Sequence, residues 1–271
     1  VAGPVVDHYA AMSRWLKPRE EACRGLESTS CAAILTPAAN QRVQSVGTGA
    51  AYDVTPDGVR GAHRALLDTH WPADLLSEDA LERLGQYEVA LLPEIGHVPA
   101  QFVKALTAYV RKGGTLIVEG RTGSLDADGK ALSDFSVAEL TGSHLRSACE
   151  YTNRYLVNLP DELAAGLPAM PLLARSPDGF AEIRTDAEVL AQFMDPEYQA
   201  TPQRHVYHQH AHPAVATDSP AITLRRLGKG RVVHVVAPLS ASYWLTGHPW
   251  PRVLMGNLLR AFVPNPLLRV E

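Results

Sequence analysis

The stretch Tyr87–Val118, YEVALLPEIGHVPAQFVKALTAYVRKGGTLIV, decides the fold. Tyr87–Leu92 is a short apolar run closed by Pro93, which reads as a buried strand, and Pro93–Pro99 reads as a turn. Ala100–Arg111 then places Phe102, Val103, Leu106 and Val110 on one face of a helix, and Gly113–Gly114 ends it. Thr115–Val118 is a second buried strand. Predominantly apolar strands joined through a helix form a right-handed parallel crossover with both sheet faces covered. Working outward, the short runs at Cys31–Leu35 and Ala73–Leu76 supply two more strands. The expected core is a doubly wound α/β sheet.

The flanks are read the same way. Val5, Val6, Tyr9, Met12, Trp15 and Leu16 recur at helical spacing, so Val5–Leu16 is an amphipathic lead-in helix closed by Pro18. Gln41–Asp57 is Gly-rich and polar and reads as loop, whereas Gly58–His70 reads as a helix broken by Trp71–Pro72. Beyond Gly120 the pattern weakens to a turn at Asp126–Gly129 and a short helix at Phe135–Leu140. Pro160–Pro213 then reads as a Pro-rich stretch with short elements only. Order returns with a β-hairpin, Ala221–Arg226 and Arg231–Val236 around Gly228-Lys229-Gly230, and a closing helix at Pro249–Phe262 that Asn265–Pro266 ends.

Composition narrows the function classes. The 271 residues carry 25 Lys plus Arg against 29 Asp plus Glu, a net charge of −4. No basic stripe offers itself to phosphates, so neither nucleic acid nor an anionic membrane surface is expected as a partner. Hydrophobic content of 46% with 20% charged residues describes a folded chain rather than a disordered or coiled-coil one. Cys23, Cys31 and Cys149 lack the paired spacing of a zinc ribbon or redox motif, and no apolar run approaches the ~20 residues that span a bilayer. No secretory leader pattern stands at the N-terminus, so a cytoplasmic location is expected. Because the chain begins at Val1, it also reads as a piece of something longer.

Few residues advertise chemistry. His205, His208, His210 and His212 form a histidine-rich run in which the last three would share one side of an extended segment. No acidic residue sits at ligand spacing, and flanking prolines mark a polar loop, so His208, His210 and His212 are weak metal candidates and no metal or other cofactor is expected. Asp126-Ala127-Asp128-Gly129 begins like a calcium loop, but Ala131 and Val137 occupy the positions that need Gly and Glu, which leaves a reverse turn. Ligands of open α/β sheets sit at the carboxyl ends of strands, which draws attention to Thr36, Glu94 and the run Glu119-Gly120-Arg121-Thr122. The Gly120–Gly123 corner either presents Arg121 and backbone amides to an anion or is simply a tight corner. It carries no Ser or Cys in a nucleophile-elbow pattern. Tyr243, Trp244, His248 and Trp250 concentrate aromatic surface before the last helix, suited to sugar stacking, to an interface or to core packing.

Several of these motifs together carry a family resemblance. Tyr87–Pro93 as a Tyr-led apolar strand ending in Pro, Tyr109–Gly114 as a Tyr-Val-x-x-Gly-Gly helix end, and Asp126, Gly129 and Phe135 as a turn followed by Phe resemble the trimerisation domain of β-galactosidases of glycoside hydrolase family forty-two and related glycosidases. The Gly228-Lys229-Gly230-Arg231-Val232 hairpin and the Tyr243-Trp244-x-x-Gly247-His248-Pro249 segment are similar to that family's closing portion. The resemblance covers most of Cys31–Phe262. It implies a flavodoxin-like, mostly parallel sheet related to class I glutamine amidotransferases but without their Cys-His-Glu machinery, finished by a C-terminal β-hairpin and closing helix.

The organisation that follows is a connector at 1–30, an α/β domain at 31–263 with an irregular insertion at about 141–218, and the start of a linker at 264–271. The expected function is a non-catalytic, oligomerising accessory domain, trimeric by the resemblance. Its neighbours would be a catalytic barrel and a β domain of the parent chain, and the parent would act on a carbohydrate. Two other readings stand beside it. One is an autonomous amidotransferase-like hydrolase built on the Gly120–Gly123 corner, the other a carbohydrate-binding module built on Tyr243, Trp244 and Trp250.

Overall fold

A computed structural model of the chain describes residues 3–48, 56–149, 151–199, 201, 203–204 and 211–263. Its centre is a five-stranded parallel sheet. β1 (Ala32–Leu35), β2 (Ala73–Leu76), β3 (Val89–Pro93), β4 (Thr115–Glu119) and β11 (Gly230–Val235) stand in the order β2-β1-β3-β4-β11. The register aligns Ile34 with Leu91, Leu91 with Ile117 and Ile117 with Val233, an apolar row across the sheet that no solvent reaches. Burial on both faces is what continuous apolar strands predict.

α5 (Ala100–Lys112) makes the crossover from β3 to β4 and buries Phe102, Leu106, Tyr109 and Val110. Its end explains the double glycine. Gly113 turns at φ +126°, and a side chain on Gly114 would lie 2.2 Å from the Tyr109 ring, whose hydroxyl donates to the Tyr87 or Thr115 carbonyl, 3.1 and 3.2 Å away. α4 (Asp57–Asp68), α8 (Leu239–Thr246) and α9 (Pro249–Phe262) pack together as a second helical layer. Helices thus cover both sides of the sheet, as the α/β reading requires.

The second half differs from expectation. β6 (Asn153–Val157), β7 (Leu172–Arg175) and β9 (Glu188–Pro196) lie where an irregular insertion is expected, and with β10 (Pro213–Leu227), whose Ala221–Arg226 part is the first strand of the expected hairpin with β11, they extend the sheet antiparallel beyond β11, completing the nine-stranded order β2-β1-β3-β4-β11-β10-β9-β6-β7. β5 (Ser143–Cys149) and β8 (Phe180–Thr185) pair as a separate ribbon. α7 (Asp161–Ala164) is a single turn between β6 and β7, and α6 (Ala138–Thr141) begins three residues later than the helix expected from Phe135. The region expected as loop at Gln41–Asp57 also departs: α3 (Ala38–Thr48) is helical, its first amides donating to Glu78 at 2.8 and 3.1 Å. Residues 49–55 lie outside the described residues.

α1 (Pro4–Leu16) forms as read. Pro18 does not end the helical run, which continues through a 3₁₀ turn at Lys17–Arg19 into α2 (Glu20–Cys23). A further 3₁₀ segment, Glu78–Gln86, leads into β3. None of the residues in α1, the first 3₁₀ turn or α2 is buried.

Candidate functional site: a crevice at the carboxyl ends of the strands

β3 and β4 end level, Pro93 beside Glu119, so the chain leaves the sheet twice at the same height. Both exits carry a carboxylate among apolar neighbours. Glu119 is fully buried; the Ser240 amide and hydroxyl donate to its two oxygens at 2.8 and 2.7 Å. Burial outweighs these bonds and pushes its pKa up to about 7. Glu94 follows β3 in a left-handed conformation, φ +49°, which is uncommon and costly for a residue with a side chain. Desolvation by burial pushes its pKa up to about 8 despite the Arg121 guanidinium and amide nearby.

Gly120, at φ +59°, is the residue these carboxyls require: a Cβ there would sit 2.7 Å from a Glu94 oxygen. The rest of the corner is laced internally. The Gly120 amide donates to Val235 at 2.9 Å and the Gly123 amide to Ile95 at 2.8 Å, and Thr122 Oγ1 accepts from the Ile95 amide at 3.0 Å while lying 2.6 Å from the Glu119 carbonyl. His234 Nε2–H donates to the Gly120 carbonyl at 3.0 Å, which fixes the neutral tautomer, and burial lowers the ring's pKa to about 4. A strand-end turn of this kind places a nucleophile in many α/β enzymes. Here the position holds Gly120, with no side chain, and the amides of Gly120, Arg121 and Gly123 are already engaged.

Arg121 also lines a cavity of about 330 Å³. With it the lining includes Glu94 and Gly96 after β3, Asp57 and Gly58 at the start of α4, Asp178 from the segment before β8, and Leu245 of α8. Arg121 lies 3.7 Å from the Asp178 carboxylate, and its Nε is buried without a hydrogen-bond partner among the described residues. The crevice therefore gathers two residues visible from strand-end reasoning, Glu94 and Arg121, with Asp57 and Asp178, which were not singled out. Glu119 is not part of that lining and accepts from Ser240 instead.

The aromatic candidates lie at the α4, α8 and α9 junction. Tyr243 is buried; its hydroxyl donates to Asp68, and the Arg64 guanidinium stands 5.3 Å over its ring. Trp244 is partly exposed with Arg60 5.6 Å over its ring, Trp250 packs against the core, and His248 is exposed at the start of α9. His212 is exposed, its carbonyl accepting from the Glu197 amide at 2.9 Å, while His205, His208 and His210 lie outside the described residues. Among the described residues no three His, Cys, Asp or Glu side chains gather as metal ligands would. The Asp126 segment is a turn, Asp126 Oδ1 accepting from the Asp128 and Lys130 amides at 2.9 and 2.8 Å.

A family model described as the beta-galactosidase trimerisation domain matches residues 33–245. The chain belongs to this β-galactosidase trimerisation domain family. Solved structures agree on the fold. An alpha-L-fucosidase isoenzyme 2 from Paenibacillus thiaminolyticus superposes with a TM-score of 0.72 at 19% identity, over 93% of this chain and 36% of that one. A beta-galactosidase from Bacillus circulans sp. alkalophilus gives 0.68 at 16% identity, over 99% and 36%. An exo-beta-1,4-mannosidase from Opitutaceae bacterium strain TAV5 gives 0.55 at 16%, over 96% and 40%. The trimerisation domain thus spans little more than a third of the length of the solved chains it resembles. Comparison with curated proteins gives no significant match. Among the described residues no helix is long and apolar enough to cross a membrane.

Proposed function

We propose that this trimerisation domain is a non-catalytic accessory unit of a β-galactosidase-like glycoside hydrolase, assembling subunits, as a trimer, around active sites carried by a separate barrel. Its sheet domain would occupy residues 31–263, with 1–30 as connector and 264–271 leading to a following domain. The observation that carries the reading is the β4 corner. Gly120 stands where a nucleophile would, and the amides of Gly120, Arg121 and Gly123 are spent on Val235, Glu94 and Ile95 rather than left to stabilise an oxyanion. Free Cys23, Cys31 and Cys149 suit a reducing compartment, which supports placing the parent in the cytoplasm.

α1 supports assembly. Its Val5, Tyr9, Met12 and Leu16 follow one another at intervals of four, three and four residues, so an apolar stripe faces solvent along an unpacked helix. Sedimentation of the chain over a concentration series tests the reading, together with assays for β-galactosidase, glutaminase and esterase turnover. Self-association without turnover is expected. A strict monomer at high concentration, or glutaminase or esterase activity abolished by a substitution at Arg121, would sink it. A chain that stays monomeric yet binds sugars through Trp244 would favour a carbohydrate-binding module instead.

A further inference from the structure

We propose that the crevice between Glu94, Arg121, Asp57 and Asp178 binds an uncharged, polyhydroxylated molecule the size of one sugar ring. Four observations converge. The cavity, about 330 Å³, is at the small end of the ~300–1,000 Å³ typical of ligand pockets, room for a monosaccharide rather than a chain. It opens at the carboxyl ends of β3 and β4, where open α/β sheets take their ligands. Its lining residue Glu94 is held in a left-handed conformation that costs free energy, and such outliers cluster at ligand clamps. Its guanidinium is under-used: Arg121 makes one long ion pair, and its Nε has no partner among the described residues.

The charge pattern selects the ligand class. Arg121 faces Asp178 at 3.7 Å and Asp57 faces Arg60 at 3.6 Å, so the fixed charges cancel in pairs. With its raised pKa of about 8, Glu94 is mostly protonated at neutral pH and offers both an O–H donor and a carbonyl acceptor. An anion would meet Asp57 and Asp178 in the lining, and a cation would meet Arg121. Hydroxyl groups donate and accept at once, and a vicinal pair matches the two-pronged edge of a guanidinium or carboxylate. Leu125, Leu245 and Pro177 supply apolar surface for the C–H face of a ring. The proposal does not depend on the assembly role, and its test uses this chain alone, so a barrel site elsewhere cannot supply the signal.

Ligand-observed NMR and calorimetry with galactose, glucose, mannose and fucose, beside acetate and methylammonium, decide it. Saturable binding of at least one neutral sugar is expected, weakened about tenfold or more by Arg121→Ala and by Asp178→Asn. Asp178 is 84% exposed, so its variant keeps the fold and guards against a misfolding artefact, checked by an unchanged melting temperature. Saturation by none of the sugars at ~100 mM, binding untouched by both substitutions, or saturable acetate or methylammonium binding in place of sugar would each overturn it.

Discussion

Glu94, Glu119 and His234 give the molecule a pH profile whose sign can be worked out residue by residue. Burial raises the folded pKa of Glu94 to about 8 and of Glu119 to about 7, from 4.5, so the folded state holds protons that the unfolded state releases. Their contribution is full below the ordinary carboxylate pKa and is lost as pH rises through those two values. His234 is the reverse: its pKa falls from 6.5 to about 4, and its contribution is lost as pH drops through that value. Asp74, Glu78 and Asp134, each hydrogen-bonded and held below its ordinary pKa, add the same acid-side loss. Melting temperature should peak near pH 5 and decline toward pH 8. Glu94→Gln should flatten that decline, because a neutral amide has nothing to ionise, with a relative gain at pH 8 on the order of 2 kcal/mol after solvent screening. Scanning calorimetry from pH 4 to pH 8 checks this; a melting temperature that climbs steadily to pH 8 would contradict it.

Among the elements, Arg154 is the tie that makes the second half of the chain a sheet. Its side chain is 1% exposed, with Nε 2.6 Å from Asp195 of β9, Nη1 2.7 Å from Glu182 of β8, and its guanidinium 4.3 Å over the Phe193 ring. Ser219 of β10 donates to the other oxygen of Glu182, so one buried cation joins the small ribbon to the extended sheet. Arg154→Met leaves two carboxylates facing each other without their cation and should cost about 3 kcal/mol in urea unfolding. Restoring neutrality with Glu182→Gln and Asp195→Asn in the same chain should recover part of it; a cost below ~0.5 kcal/mol for Arg154→Met would mean the triad holds nothing. Helix packing gives a second test. A Cβ on Gly61 of α4 would lie 1.8 Å from the Ser240 carbonyl of α8, so Gly61→Ala must push these helices apart at a cost of about 1–3 kcal/mol.

These elements also show what could be read from the sequence. β3, α5 and β4 are legible because their information is local: apolar runs, a periodic helix face and a double glycine. α3 is not, because its first amides are capped by Glu78, 40 residues further along, and nothing between residues 41 and 57 records that. β6, β7 and β9 hide behind prolines for the same reason, since their pairing and the Arg154 triad join segments far apart in sequence. In the crevice, Glu94 and Arg121 are legible as polar residues ending apolar strands. Asp57 and Asp178 arrive there only through the fold.

At the scale of the whole molecule, one part stands outside this cooperation. The sheet and its helices share a continuous core, while α1 and α2 add nothing to it: Val5 is 66%, Tyr9 64% and Trp15 59% exposed. A 13-residue helix is marginal in water on its own, and one with an apolar stripe gains by covering it. The proposed assembly supplies such a cover, from a second subunit or from another domain of the parent. Deleting residues 1–23 separates folding from assembly. Since the described part of that segment buries no residue, the melting temperature should move by no more than ~1 °C. Self-association should weaken in sedimentation at matched concentration, because the stripe of Val5, Tyr9, Met12 and Leu16 leaves with it. A drop of many degrees would show that α1 stabilises the sheet domain after all, and association undiminished by the deletion would move the contact between subunits onto the α/β domain itself.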